Sequence, residues 1–395
     1  MNEAENNWLI RNVNIVLEDR TVKGAVKVRN GVIDRIVPEG ELAVPEEGER
    51  LNETDGRNGW LLPGFIDIHV HGGFGSDFMD AGRDSYDAIT RFHAANGTTG
   101  MLATTVTASK QAIDAVLEAA AEYRARPMPY AALYGVHLEG PFISEKWPGA
   151  QNPAFIADPR LDWLEEWVGR YPGLVKMVTL APEKNGAIEA VSWLAKQGVI
   201  AAAGHTDALY ADMERAANAG LTHAVHTYNA MRGLHHREPG TLGAVLSDDR
   251  IYAEVIADGH HVHPAAISLL ASAKPADKLI LITDAISAAG MPDGDYDLGG
   301  LPVVMSGGVA RLKDGGGNLA GSCLTMIGAV RYMLANTNLG IVSVSRLASG
   351  NPAKRLGLYG DTGSIAAGKR ADLVLTDEKF DVVGTWVAGN RVFEA

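Results

Sequence analysis

Eight short apolar runs constrain this chain more than any other feature. They read GFIDIHVHG, TTGMLATTV, ALYGVHLEG, GLVKMVTLAPE, GVIAAAGHT, THAVHTYNAM, IYAEVIADG and KLILITDAI, and each closes in a polar or glycine-rich loop. Between them lie segments such as SKQAIDAVLEAAAEYRA and AIEAVSWLAKQG, whose apolar positions recur at helical spacing. About eight βα units is the number at which a parallel barrel closes. A doubly wound open sheet is the competing arrangement, but it usually has fewer strands; separately, no GxGxxG opens a helix after the first run, so a dinucleotide site is not indicated. The predicted architecture is a TIM-like (β/α)8 barrel over residues 63–355.

The flanks have another rhythm. From about residue 8 to 62 the chain alternates and turns often, with Asn30-Gly31 as a hairpin signal, and the end repeats this style around Gly389-Asn390. Residues 1–62 and 356–395 are therefore expected to join into a small β-sandwich beside the barrel. From Gly290 to Ser322 the chain is rich in Gly and Asp and holds two short strand-like pieces. It reads as a loop or hairpin insertion after the last barrel strand, where long loops often cover an active site.

Composition narrows the chemistry. A net charge of -13 argues against nucleic-acid binding, which needs a basic surface. Cys323 is the sole cysteine, so neither an intramolecular disulfide nor a thiolate cluster can form, and any metal must sit on His, Asp and Glu. The N-terminal residues lack the basic and apolar regions of a secretory signal, and no window approaches the ~20 apolar residues of a membrane span. The expected location is cytoplasmic.

Position then singles out the site. His69 and His71 end the first run, Glu139 the third, His205 the fifth, His226 the sixth and Asp284 the eighth. In a barrel these strand ends converge on the face that carries active sites. Residues two apart on a strand face one side, so His69 and His71 can approach one ion together. Imidazole and carboxylate ligands suit zinc, iron, cobalt or manganese. Taken singly, each residue also has an ordinary use: a strand histidine can be a core residue, Glu139 a salt-bridge partner, and the aspartate of TDA a helix cap. Six such coincidences at strand ends favour the metal reading. His137 shares a strand face with Glu139 and is expected to support a ligand. His93 is expected to be structural, His223 to face elsewhere, and His235, His236 and His263 to lie in loops.

PGFIDIHVHG is the opening signature of the amidohydrolase superfamily. With HLEGPF, AGHTDA, HTYNAM, REPG, ADGHH, TDAI and LAGSCLTM in this order, the chain resembles the N-acetylglucosamine-6-phosphate deacetylase family, from about Trp60 through GSIAAGKRADLVL. The resemblance implies metal-dependent release of acetate from the sugar phosphate, leaving glucosamine 6-phosphate. It implies that Glu139, His205 and His226 are the principal metal ligands, and that His69 and His71 match the pair that holds a second ion in binuclear members. Glu139 stands where many amidohydrolases have a bridging carboxylated lysine. Asp284 matches the catalytic aspartate, the candidate general base and later acid.

For the substrate, the resemblance implies that Asn229 and Ala230 contact the sugar and its phosphate, and that Arg237 and His261 hold the phosphate. Ala150 and Gln151 match a loop near the acetyl group. Some members have a histidine in place of Gln151 to polarise the amide carbonyl, whereas Gln151 can only donate a neutral hydrogen bond. Asn318, Leu319, Ala320 and Gly321 match main-chain contacts to the sugar. Members are commonly homodimers, with Arg237 reaching the neighbour's site. The competing readings are another amidohydrolase, such as a dihydroorotase, a D-aminoacylase or a deaminase, and a catalytically inactive barrel used as a scaffold.

Overall fold

The computed structural model describes residues 7–41, 51–314 and 316–395. Residues 1–6 and 42–50, part of the segment assigned to the small domain, lie outside the described residues.

The eight apolar runs form one parallel sheet in chain order: Phe65–Val70, Thr98–Thr105, Ala132–Glu139, Val175–Leu180, Ile200–Ala203, His223–Ala224, Tyr252–Ile256 and Leu279–Ile282. Helices follow the strands. Lys110–Arg124 is an example: Ser109 accepts from the Ala112 N–H at its start, and Ile113, Val116, Leu117 and Ala120 are buried along one face. The first and last strands meet at a seam held by few groups. The Asp284 N–H donates to the His69 carbonyl at 2.9 Å, and the buried Asp67 carboxylate takes the Thr283 hydroxyl. This is a nearly closed (β/α)8 barrel, as the run pattern predicts.

Ile66, Ile68, Leu102, Met177, Ala202, Val225, Ile256, Ile280 and Ile282 form one buried apolar cluster with Ala353. Ala353 belongs to a continuous helical stretch from Ile341 to Arg355, whose middle turn, Arg346–Gly350, is a π-helix. That stretch closes the barrel at the N-terminal ends of its strands. Ser349 Oγ donates to the Pro63 carbonyl ahead of the first strand, and Asn351 Nδ2 to the Leu279 carbonyl at the start of the eighth.

The chain ends form a separate strand-rich domain made of one sheet. Strand Trp60–Pro63 pairs with Trp8–Val16 on one side and, antiparallel, with Leu373–Thr376 on the other. The sheet folds back on itself around Ile10, Ile15, Val26, Leu61, Leu373 and Trp386. Asn30 and Gly31 both have positive φ, as a two-residue hairpin turn requires. At the other end the turn residues are Ala388 and Gly389, one earlier than the sequence suggests, and Asn390 already starts its strand. The two tips touch: a Cβ on Gly31 would lie 2.4 Å from the Ala388 carbonyl oxygen.

The insertion after the eighth barrel strand is more ordered than its composition suggests. Gly294–Leu298, Leu301–Ser306 and Val309–Leu312 make a three-stranded antiparallel sheet. Three strands rather than two give it a buried side, where Leu298, Val303 and Met305 pack on Val106 and Ile286. No described helix is long and apolar enough to cross a membrane.

Candidate metal centre and active-site cavity

Five strand ends bring six metal-competent side chains together at the C-terminal mouth of the barrel. His69 lies in the first strand and His71 just past it, and Glu139 is the last residue of the third strand. His205, His226 and Asp284 each sit two residues beyond their strands, where the backbone has left the ladder. All three have positive φ, at 48°, 30° and 52°. Non-glycine residues held there carry strain of order 1–3 kcal/mol each, a pattern that clusters at functional sites.

Glu139 is the hub. Its Oε1 lies 3.0 Å from His226 Nε2, 3.2 Å from His69 Nε2 and 3.3 Å from His205 Nε2, and its Oε2 lies 3.3 Å from His71 Nε2. Asp284 Oδ1 approaches His71 Nε2 at 3.1 Å. Ligands bound tetrahedrally at ~2.1 Å stand about 3.4 Å apart, so these are the separations of atoms that share an ion. Two groupings satisfy that geometry, His69 with His71 and Asp284, and His69 with Glu139 and His226.

Proton placement makes the same point. His205 Nδ1 faces the Trp147 carbonyl at 3.0 Å, and His226 Nδ1 the Asn229 carbonyl at 3.2 Å. A carbonyl only accepts, so both rings carry their proton on Nδ1 and turn an Nε2 lone pair inward. The two Nε2 atoms are 3.1 Å apart. Lone pairs converging in a buried place are satisfied by a cation. Where protons rather than a cation occupy these nitrogens, burial opposes charge on Glu139, yet the protonated imidazoles around it, His69 foremost, hold its carboxyl well below the usual range. Burial likewise works against a charged His71, but Asp284 and Glu139 push it up to about 10. Protons and a divalent cation are alternative occupants of these nitrogens. The donor set fits such an ion.

A cavity of about 370 Å³ opens above the cluster. His71, Glu139, His205, His226 and Asp284 form its base, and His69 is fully buried beneath. Ala150, Gln151, Asn229, Ala230 and His261 line its wall, and Asn318, Leu319 and Gly321 reach it from the inserted sheet. Ala320 does not: it is buried, and its N–H is spent on the Ala310 carbonyl. Arg237 also lies off the wall. Its side chain is exposed and contacts His236 Nε2 at 2.8 Å.

Gln151 is committed more firmly than its sequence position suggests. The Thr107 N–H donates to its Oε1, which turns its Nε2 to Glu139 Oε2, both at 2.6 Å. One N–H is thereby engaged and one remains for a ligand.

Several residues escaped the sequence reading. Lys146, Trp147 and Leu298 also line the cavity, and Asp207 ties this loop down by accepting from Lys146 Nζ, Trp147 Nε1 and Arg232. Glu254, fully buried in the seventh strand, joins His69 Nδ1 to His223 Nε2 at 2.9 Å each. Its signal was a lone carboxylate inside the apolar run IYAEVI. His223 faces away from the cavity as expected, but into this buried contact. His137 packs its ring 4.6 Å from that of His69 and meets Thr179 Oγ1 at 2.7 Å. His93 is buried on the Gly72 carbonyl, and His263 caps the helix Pro264–Ala273.

Known proteins are similar to this chain along nearly its whole length. The profile of the Amidohydrolase family matches residues 60–392. An N-acetylglucosamine-6-phosphate deacetylase of Bacillus subtilis is 41% identical over 389 residues, covering 98% of this chain and 97% of that one. An N-acetylgalactosamine-6-phosphate deacetylase of Escherichia coli O157:H7 is 41% identical over 92% of this chain and 93% of its own length. A solved N-acetyl-D-glucosamine-6-phosphate deacetylase from Mycobacterium smegmatis superposes with a TM-score of 0.90 at 33% identity, covering 98% of this chain and 99% of that one. This chain therefore belongs to the amidohydrolase family, in the branch that holds the N-acetylglucosamine-6-phosphate deacetylases.

Proposed function

We propose that this enzyme hydrolyses the acetamide of N-acetylglucosamine 6-phosphate to acetate and glucosamine 6-phosphate. The observation that carries the reading is the convergence of four histidines and two carboxylates under a sugar-sized cavity, in a chain so similar to curated deacetylases. His69, His71, Glu139, His205, His226 and Asp284 would hold one or two divalent ions, with zinc, iron, cobalt and manganese all compatible with the donors. When bound, such an ion supplies Lewis acidity and lowers the pKa of water toward ~7.

The chain's own groups do the rest. Burial disfavours a charged Asp284, but positive charge on the His69 and His71 side holds its carboxyl below the usual range, the form that can take a proton. It accepts a proton from the attacking water as the new C–O bond forms, then passes it to the nitrogen as the C–N bond breaks. The second N–H of Gln151 faces the acetyl oxygen, a neutral donor for the developing oxyanion. Asn229, the Ala230 backbone and Asn318, Leu319 and Gly321 orient the sugar, and His261, anchored by Asp258 at 2.6 Å, meets the phosphate.

Arg237 sits in an exposed loop beside Leu234, which is 56% exposed, and Leu209 and Leu269 are likewise bare. In our reading two copies form a homodimer in which Arg237 serves the neighbour's phosphate subsite. Replacing Arg237 by Ala is expected to raise KM for the phosphorylated sugar about 10- to 100-fold, the worth of a charge-assisted hydrogen bond. An equal effect on the unphosphorylated sugar would remove Arg237 from the phosphate.

The decisive assay is acetate release by the metal-replete enzyme from N-acetylglucosamine 6-phosphate, with N-acetylglucosamine as control. Fast release from the phosphorylated sugar alone is the expected result. Release from neither, with metal bound, would move the reading to another amide within the family. The E. coli relative supports a second reading, the galacto epimer, so N-acetylgalactosamine 6-phosphate belongs in the same panel.

A further inference from the structure

The geometry points to a buried donor chain, Arg355–His223–Glu254, that fixes the proton of His69 on Nδ1 and keeps its Nε2 open for a cation. The inference rests on the reading of His69 as a metal ligand.

The chain begins at the closed end of the barrel. Arg355 ends the helical stretch that covers the strand starts, with its guanidinium 4.8 Å over the Tyr252 ring. A guanidinium has donors and no acceptor. Its NH2 group donates to Thr222 Oγ1 at 2.6 Å, and its Nε to His223 Nδ1 at 3.3 Å. His223 Nδ1 must therefore present a lone pair, so the ring proton is on Nε2. That proton points at Glu254 Oε1, 2.9 Å away. The other oxygen, Oε2, accepts from the His226 N–H at 3.3 Å and faces His69 Nδ1 at 2.9 Å. A carboxylate already taking two donors completes its set with a third, which places the His69 proton on Nδ1. His69 Nε2 is then a buried lone pair without a hydrogen-bond partner, directed toward Glu139 and Asp284.

Each step follows from the one before, and the first is fixed because arginine cannot change its role. Glu254 and His223 are fully buried, out of contact with bulk water. Without the chain, His69 is free to carry its proton on Nε2, which shuts that nitrogen to a metal. Glu254, His223 and Arg355 are thus positioning residues. Partners of this kind typically govern metal affinity by 10- to 100-fold.

The test measures zinc affinity of the full-length protein by chelator competition, alongside thermal melting of the metal-free form. Glu254→Ala is expected to weaken zinc binding about 10- to 100-fold. In a Glu254→Ala, His69→Ala double variant the loss should equal that of His69→Ala alone, because Glu254 acts through His69. Ring nitrogen-15 spectra of the zinc-loaded protein should place the His69 proton on Nδ1. Should Glu254→Ala not fold, Arg355→Met decides: it lies at the far end of the barrel, and zinc affinity should still fall several-fold, with Arg355→Lys restoring part of the loss.

If His69→Ala leaves zinc affinity unchanged, the ligand reading fails and takes the inference with it. If His69→Ala weakens zinc but Glu254→Ala does not, or the two losses add, the inference alone is overturned. A fall in melting temperature without any loss of zinc affinity in Arg355→Met overturns it as well.

Discussion

Asp284→Asn protein, fully loaded with metal, is expected to turn over at about a thousandth of the parental rate or less, within the range that a general base contributes. The substitution is nearly isosteric and keeps a carbonyl oxygen where Oδ1 now lies, 3.1 Å from His71 Nε2. It removes the ability to take a proton. Metal content by elemental analysis should match the parent, and KM should change little. Near-parental turnover in a metal-loaded Asp284→Asn preparation would give the proton transfer to another group.

Glu139→Gln should produce the other large effect, at an earlier stage. Four imidazole nitrogens lie within 3.3 Å of this carboxylate, three of them around Oε1. A glutamine removes the negative charge that offsets a dication and puts an N–H among inward lone pairs. After dialysis, metal content is expected to fall below about a tenth of the parental value, and acetate release with it, since loss of a ligand costs more than the 10- to 100-fold of a supporting residue. The apo protein should stay folded, because the apolar clusters of barrel and small domain do not include Glu139. Full metal content in this variant would mean that the four histidines and Asp284 hold the metal without the Glu139 charge.

The barrel was legible because its strands are short apolar runs at regular intervals, and the metal cluster because its members close those runs. His-x-His needs only strand periodicity to be read. What escaped depends on geometry that periodicity does not encode. His223 and His226 look like near neighbours on one element, yet the strand ends at Ala224 and His226 lies in a positive-φ turn, so the two rings serve different places. Glu254 carries no motif: its meaning arises only when the seventh strand lies between the sixth and eighth. Gln151 was read for its place near the acetyl group, but its engagement with Glu139 depends on how one loop folds under Thr107. Arg237 lies in an exposed loop off the cavity wall, a placement that its position in the sequence does not encode.

The strand Trp60–Pro63 opens the way into the barrel, yet its partner Leu373–Thr376 is made only after the whole barrel has been translated. During synthesis the early hairpins of the small domain wait with that strand edge unpaired, and an unpaired edge is a template for unwanted association. The seam shows the same delay, because His69 emerges long before the Asp284 N–H that closes on it. An unfinished chain therefore presents both a sticky edge and a half-built ion site. Placing both chain ends in one sheet thus makes this edge one of the last parts of the molecule to close, and the emerging chain stays open to misassociation until then.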